Sequence, residues 1–331
     1  MKIIDFRFRP HTEAILNGIK NSTMFKASCE ASGFDKWQPE PLDKIVADMK
    51  ARGVERCVIT GRDCRTTYGF PDNNGSVLEF CRAYPDMFIG FWGIDPLKGM
   101  DAVREVEKVV KEYGMKGVAT DPYLAHISPA EARYYPIYTK CCELDIPVFV
   151  TMAPPPQVPG TVISYTDPRD IDVVARDFPE LKIIMSHGGY PFVHEAIYSC
   201  YRNKNVYMDI SEYEAAPMKE TYIDAMKNMI ADKVLFASAH PFVDQRECLA
   251  TYAAMDLPDH VREKIMYKNA CRVLGLPCGE EAPCATCTCR KGKGCCAGGC
   301  GSKDAAAPKA APSSDIDAIA SRIVAELKKV M

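Results

Sequence analysis

Between residues 2 and 275, short apolar runs alternate with stretches whose apolar positions recur every three to four residues. The runs KIIDFRFR (2–9), RCVITG (56–61), MFIGFWGI (87–94), KGVATD (116–121), PVFVTM (147–152), KIIMSH (182–187), VYMDIS (206–211) and KVLFASA (233–239) predict eight strands. Near-continuous hydrophobicity of this kind is expected of strands covered on both faces. The intervening stretches predict helices. Leu42, Ile45, Val46 and Met49 form one stripe and Gly53 follows as a stop; Val103, Val106, Val110 and Tyr113 form another before Gly114; Ile171, Val174, Ala175 and Phe178 form a third before Pro179. Strands separated by helices predict an α/β fold with a parallel sheet, and eight such units predict a (β/α)8 TIM barrel. An open doubly wound sheet is the alternative. It should carry a glycine-rich phosphate loop after the first strand, and FRFRPHTEA (6–14) has none. Residues 10–40 show little period and are expected to be an insertion over the barrel mouth.

The pattern divides the chain into a barrel (1–276), a Cys- and Gly-rich segment (277–300), a flexible linker (301–314) and an amphipathic helix (315–331). In that last segment Ile316, Ile319, Ile323, Leu327 and Val330 share a face, Ser314 is placed to cap the start, and Lys328 and Lys329 suit the last turn. A helix this short needs a partner for its apolar stripe.

Composition narrows the function classes. The 331 residues are 47% hydrophobic and 26% charged, with net charge −3. That balance gives no electrostatic footprint for nucleic acid. No apolar run reaches the roughly 20 residues of a membrane span, and the chain enters a strand without a signal peptide, so a cytoplasmic protein is expected. Sixteen cysteines are then many. Those up to Cys271 are expected to be reduced and structural. Cys278, Cys284, Cys287, Cys289, Cys295, Cys296 and Cys300 crowd one segment and are candidate ligands of zinc or of an iron–sulfur cluster, both of which take about four thiolates.

Chemistry in such a barrel sits where strands end. The strand ends offer Arg7 and Arg9, Arg62, Asp95, Asp121 and Tyr123, Thr151, His187, Asp209 and Ser211, and Ser238 and His240. Arg7 and Arg9 alternate with Phe6 and Phe8 and are expected on one face. YGMKGVATDPYL (113–124), CCELDIPVFVT (141–151), FPELKIIMSHGGYPFVHEAI (178–197), NVYMDIS (205–211), KVLFASAHP (233–241) and KIMYKNACRVLGL (264–276) resemble the amidohydrolase 2 family of barrel hydrolases and decarboxylases. That resemblance implies a divalent ion held by His-x-His on strand 1, a His on each of strands 5 and 6, and an Asp on strand 8. The matching positions hold Arg7, Arg9, Thr151, His187 and Ala239. Guanidinium groups carry no lone pair for a metal, so no metal or other cofactor is expected in the barrel.

The leading expectation is a metal-independent, amidohydrolase-related hydrolase cleaving a C–N or lactone bond of a small carboxylate. Arg7 and Arg9, helped by Arg62, Tyr123 and Thr151, would bind the substrate, and His187, Asp121 and His240 would be catalytic. Two alternatives stay open: a decarboxylase of the same family, and an inactive barrel that serves as a scaffold or redox carrier. The arginines could instead pair with Asp5, Asp121 or Asp209. The tail resembles the encapsulation peptides of bacterial microcompartment cargo, which implies shell or cargo proteins as partners of 315–331 and a place inside a microcompartment; a homo-oligomer is also left open.

Overall fold

The computed structural model describes residues 1–278, the side chain of Thr23 apart. Seven parallel strands run in sequence order: β1 (Ile3–Asp5), β2 (Val54–Thr60), β3 (Phe88–Gly93), β4 (Gly117–Thr120), β5 (Val148–Val150), β6 (Ile183–Met185) and β7 (Val206–Met208). The eighth segment expected at 233–239 lies in place but is not a regular strand. It joins β7 through Leu235 N–H to Met208 O (2.8 Å), and it meets the first strand through Phe6 N–H to Phe236 O (2.8 Å) and Ala239 N–H to Arg7 O (2.9 Å). These bonds close the sheet into a barrel.

Period-two alternation is legible in the packing even where the sequence is apolar throughout. Val58, Phe91, Phe149, Ile184 and Tyr207 point into one cluster with Ile4 and Phe6, and the helix Asn269–Leu274 packs on it through Ala270, Cys271 and Val273. Cys57, Ile59, Val148, Val150, Ile183 and Met208 belong to the other layer, with the stripes of the surrounding helices. The helices Leu42–Ala51 and Met100–Tyr113 end where expected, at Gly53 (φ +84°) and Gly114 (φ +72°). In Met100–Tyr113 the buried stripe runs through Ala102, Val103, Val106 and Val109, one position away from the expected Val110.

The first strand differs from expectation. It is regular only to Asp5 and bends at Phe6 and Arg7. The cause is local: Asp5 Oδ1 accepts the Arg7 backbone N–H (3.1 Å), an Asx turn that competes with the ladder. Phe6 therefore lies in the barrel interior while Phe8 lies in the outer layer, and the two do not share a face.

The insertion holds α1 (Glu13–Lys20) and α2 (Lys26–Ser32), and α3 (Leu42–Ala51) follows it. It is pinned to the eighth segment by Trp37 Nε1–H donating to Pro241 O (2.6 Å). Among the described residues all cysteines are free thiols, and no helix is long and apolar enough to cross a membrane. The thiols from Cys284 to Cys300, the linker and the helix expected at 315–331 lie outside the described residues. Cys278, the one member of that cysteine group described, is half-buried with Sγ 3.7 Å from Lys268 O.

Candidate active site at the barrel mouth

A cavity of about 360 Å³ opens at the carboxyl ends of the strands. Arg7, Arg9, Arg62, Tyr123, His187, Glu212 and Tyr213 line it, with Phe25, Ser28, Ala31 and Ser32 of the insertion above. Four consecutive strand ends pass through the left-handed backbone region, at Ala153 (φ +54°), His187 (+55°), Glu212 (+71°) and Ala239 (+55°), and the first three line the cavity. Non-glycine residues held there cost free energy, and such strain collects at functional sites.

The cations divide into two kinds. Arg62 is neutralised: its Nε and Nη2 donate to the two oxygens of Asp121, 3.0 Å each, and its guanidinium lies 4.6 Å from the Phe25 ring centre. Burial alone would lower Arg62, but Asp121 and Tyr123 more than offset it; burial would raise Asp121, and the Arg62 charge holds it below the usual carboxylate range. Arg7 and Arg9 are different. Both are buried, and among the described residues neither lies within ion-pair distance of a carboxylate. Arg9 donates from Nη2 to Thr60 Oγ1 (2.9 Å). Burial, then Arg7 and Arg62, push it down to about 9, so it stays a cation at neutral pH. Arg7 sits over Phe149 (5.3 Å), and its Nε and Nη1 are buried with no partner among the described residues.

The nearby acids act on them from beyond ion-pair distance: burial raises Asp209 and Glu212 while the Arg7 charge lowers them, and Asp121 raises Arg9 against its burial. Asp5 accepts from Ser238 N–H (3.0 Å), Ser238 Oγ (2.6 Å) and Gln245 Nε2 (2.7 Å). Asp209 Oδ1 accepts from Ser211 Oγ (2.6 Å), Ser211 N–H (3.0 Å) and His187 N–H (3.2 Å). Two buried cations without a direct ion-pair partner are expensive unless an anion completes them.

His187 Nδ1 lies 2.9 Å from Ser211 O, a carbonyl that can only accept, so the proton sits on Nδ1 and Nε2 is the free lone pair. Burial, then Arg7, hold its pKa well below the ordinary value, and the ring is neutral at pH 7.

The structure brings Arg7, Arg9, Arg62, Tyr123 and His187 together as lining. Asp121 stands behind Arg62, with Thr151 against it, and neither lines the cavity. His240 is elsewhere: it stacks on Phe8 (4.7 Å), and its Nε2 meets His11 Nδ1 at 2.9 Å in a separate small cavity. The Phe8 face leads there, not to the mouth. Glu212 and Tyr213 were not foreseen. They follow the end of β7 in a segment without period, and no sequence signal marks them.

A family model described as Amidohydrolase matches residues 33–276. The chain is similar to an uncharacterized TIM-barrel protein from Bordetella bronchiseptica: 28% identity over 83% of this chain and 99% of that one, TM-score 0.71. It shares its fold with a dihydroxybenzoic acid decarboxylase from Polaromonas sp. JS666, solved with bound manganese and 2-nitroresorcinol (20% identity, 83% and 97% covered, TM-score 0.60). It also shares it with a 5-carboxyvanillate decarboxylase from Novosphingobium aromaticivorans, solved with manganese (18%, 83% and 96%, TM-score 0.61). Among curated proteins none matches the chain.

These relatives correct one expectation. A barrel without metal was inferred from the two arginines, yet structures of this fold bear manganese. Substitution at the strand positions weighed in the sequence does not speak for donor atoms elsewhere, and Asp209 Oδ2 is buried without a partner near His187. The chain's own donors still do not assemble a cage. Among the described residues no group of three or more His, Cys, Asp or Glu side chains converges, short of the about three ligands a catalytic ion needs.

Proposed function

This chain belongs to the amidohydrolase family, and from that premise we propose that it is an enzyme that removes the carboxyl group of a small carboxylate as CO2. The single observation that carries the reading is the Arg7–Arg9 pair, two buried guanidiniums facing the cavity without a carboxylate partner among the described residues. The decarboxylase neighbours favour loss of CO2 over the hydrolysis expected first.

In the reaction the bond to the carboxyl carbon breaks, its electron pair stays on the neighbouring carbon, and a proton takes the vacated place. Clamping the departing carboxylate with both cations would stabilise the ground state and gain no rate. Arg9, tethered to Thr60, is therefore assigned the carboxylate. Arg7, which lines the same cavity, is assigned a hydroxyl or carbonyl oxygen that accumulates charge as the bond breaks. Where that oxygen is a hydroxyl, His187 Nε2 takes its proton first; where it is a carbonyl, His187 takes the proton from water. The resulting imidazolium is buried beside Arg7 and gives the proton up readily to the carbon.

Full-length protein incubated with hydroxybenzoates and 3-oxo carboxylates tests this. Release of CO2 is expected, with Arg7→Gln lowering kcat by about 100-fold or more and Arg9→Gln acting mainly on KM. Turnover of a lactone or amide with no CO2 released would contradict the reading. The tail 315–331 is proposed as an encapsulation helix, on its apolar stripe. A fluorescent protein carrying 301–331 should then co-localise with microcompartment shells, and diffuse fluorescence would count against it.

A further inference from the structure

Behind the mouth lies a second cavity, of about 480 Å³, between α1 and the segment 70–76. The two cavities share Arg9, Phe25, Arg62 and Phe242 as lining, so each borders the other across the Phe25 ring stacked on Arg62. Away from the arginines its walls are largely apolar, through Ile15, Ile19, Met24 and Phe70. Burying apolar surface there is worth roughly 25 cal/mol per Å².

One feature marks this as a built space. Gly18 lines it, in the middle of α1, where glycine costs about 0.5–1 kcal/mol against alanine. Its backbone is ordinary helix, and a Cβ there would meet nothing within 4 Å. No turn or close approach asks for glycine; its smallness leaves the chamber open.

We propose that this chamber receives the arm of the substrate: the enzyme takes an elongated carboxylate whose acid end lies on Arg9 in the mouth and whose apolar arm passes Phe25 to lie among Ile15, Ile19, Met24 and Phe70. The inference rests on the carboxylate reading of the mouth. It explains why Arg9 borders both spaces. The chamber selects for length and apolarity.

Calorimetric titration of the full-length protein with benzoate and with 4-phenylbutyrate tests it, on wild type, Gly18→Ala and Gly18→Leu. Wild type is expected to bind 4-phenylbutyrate about tenfold more tightly than benzoate. Gly18→Leu should lose that advantage and keep benzoate affinity, Gly18→Ala should fall between, and neither variant should melt lower than wild type. Equal affinity of wild type for both ligands, or an advantage that survives Gly18→Leu, would overturn the chamber and leave the mouth reading intact. Binding of neither ligand would overturn both.

Discussion

At the residue scale the site is governed by which charges have partners. Arg62 and Asp121 neutralise each other; Arg7 and Arg9 have no carboxylate within ion-pair distance among the described residues (both under 6% exposed). The pair was visible in the sequence as RFR, because two cations at the end of an apolar strand need a reason. Which arginines would stay free was not, since Asp5, Asp121 and Asp209 all lay within sequence-based reach and only the fold allots them. The same holds for Glu214. It is buried at 3% exposure, Oε2 has no partner among the described residues, and burial pushes its carboxyl up to about 7 from the usual 4.5. Cys248, Glu212 and Asp209 face it, and no cation is among the groups acting on it. A carboxyl that holds its proton more tightly when folded favours folding at low pH. The contribution is full below 4.5 and is lost as pH rises through 7, up to about 3 kcal/mol. Glu214→Gln should therefore match wild type in urea unfolding at pH 5 and exceed it by about 2 kcal/mol at pH 8. An equal difference at both pH values would refute that assignment.

At the element scale, runs of β-branched and aromatic residues located β2 to β7 within three positions and overran the end of β1 by four. The eighth segment was placed correctly by its apolar run, yet it joins the barrel by scattered bonds in place of a continuous ladder. The bend at Phe6 and Arg7 went unseen because it comes from an Asp5 side chain bonding backbone, which periodicity does not register. The insertion was legible only as a break in pattern; that Phe25 and α2 roof the mouth is a tertiary fact. Trp37 and His11 hold this roof on the eighth segment, at Pro241 O (2.6 Å) and His240 Nε2 (2.9 Å). Trp37→Phe removes one of the two bonds and should cost about 1 kcal/mol. Protease cleavage within 10–40 should then quicken while the barrel strands stay protected from hydrogen exchange. Unchanged cleavage would show that the bond does not hold the roof.

At the scale of the whole molecule, a closed parallel barrel places seven strand ends around one cavity and so lets distant residues, from Arg7 to Tyr213, act on one small ligand. Fold class followed from the alternation of runs; the cavity's membership depended on handedness of single residues at the strand ends, such as His187 and Glu212, and on the turn after Asp5. The central claim is that Arg9 holds a carboxylate and Arg7 the hydroxyl or carbonyl oxygen beside it. The most direct measurement is calorimetric titration of 2-hydroxybenzoate into full-length wild type and into Arg7→Gln/Arg9→Gln. The account predicts an affinity loss of about 100-fold or more in the double variant, as two charge-assisted contacts are removed. Equal affinity in the two proteins would contradict it.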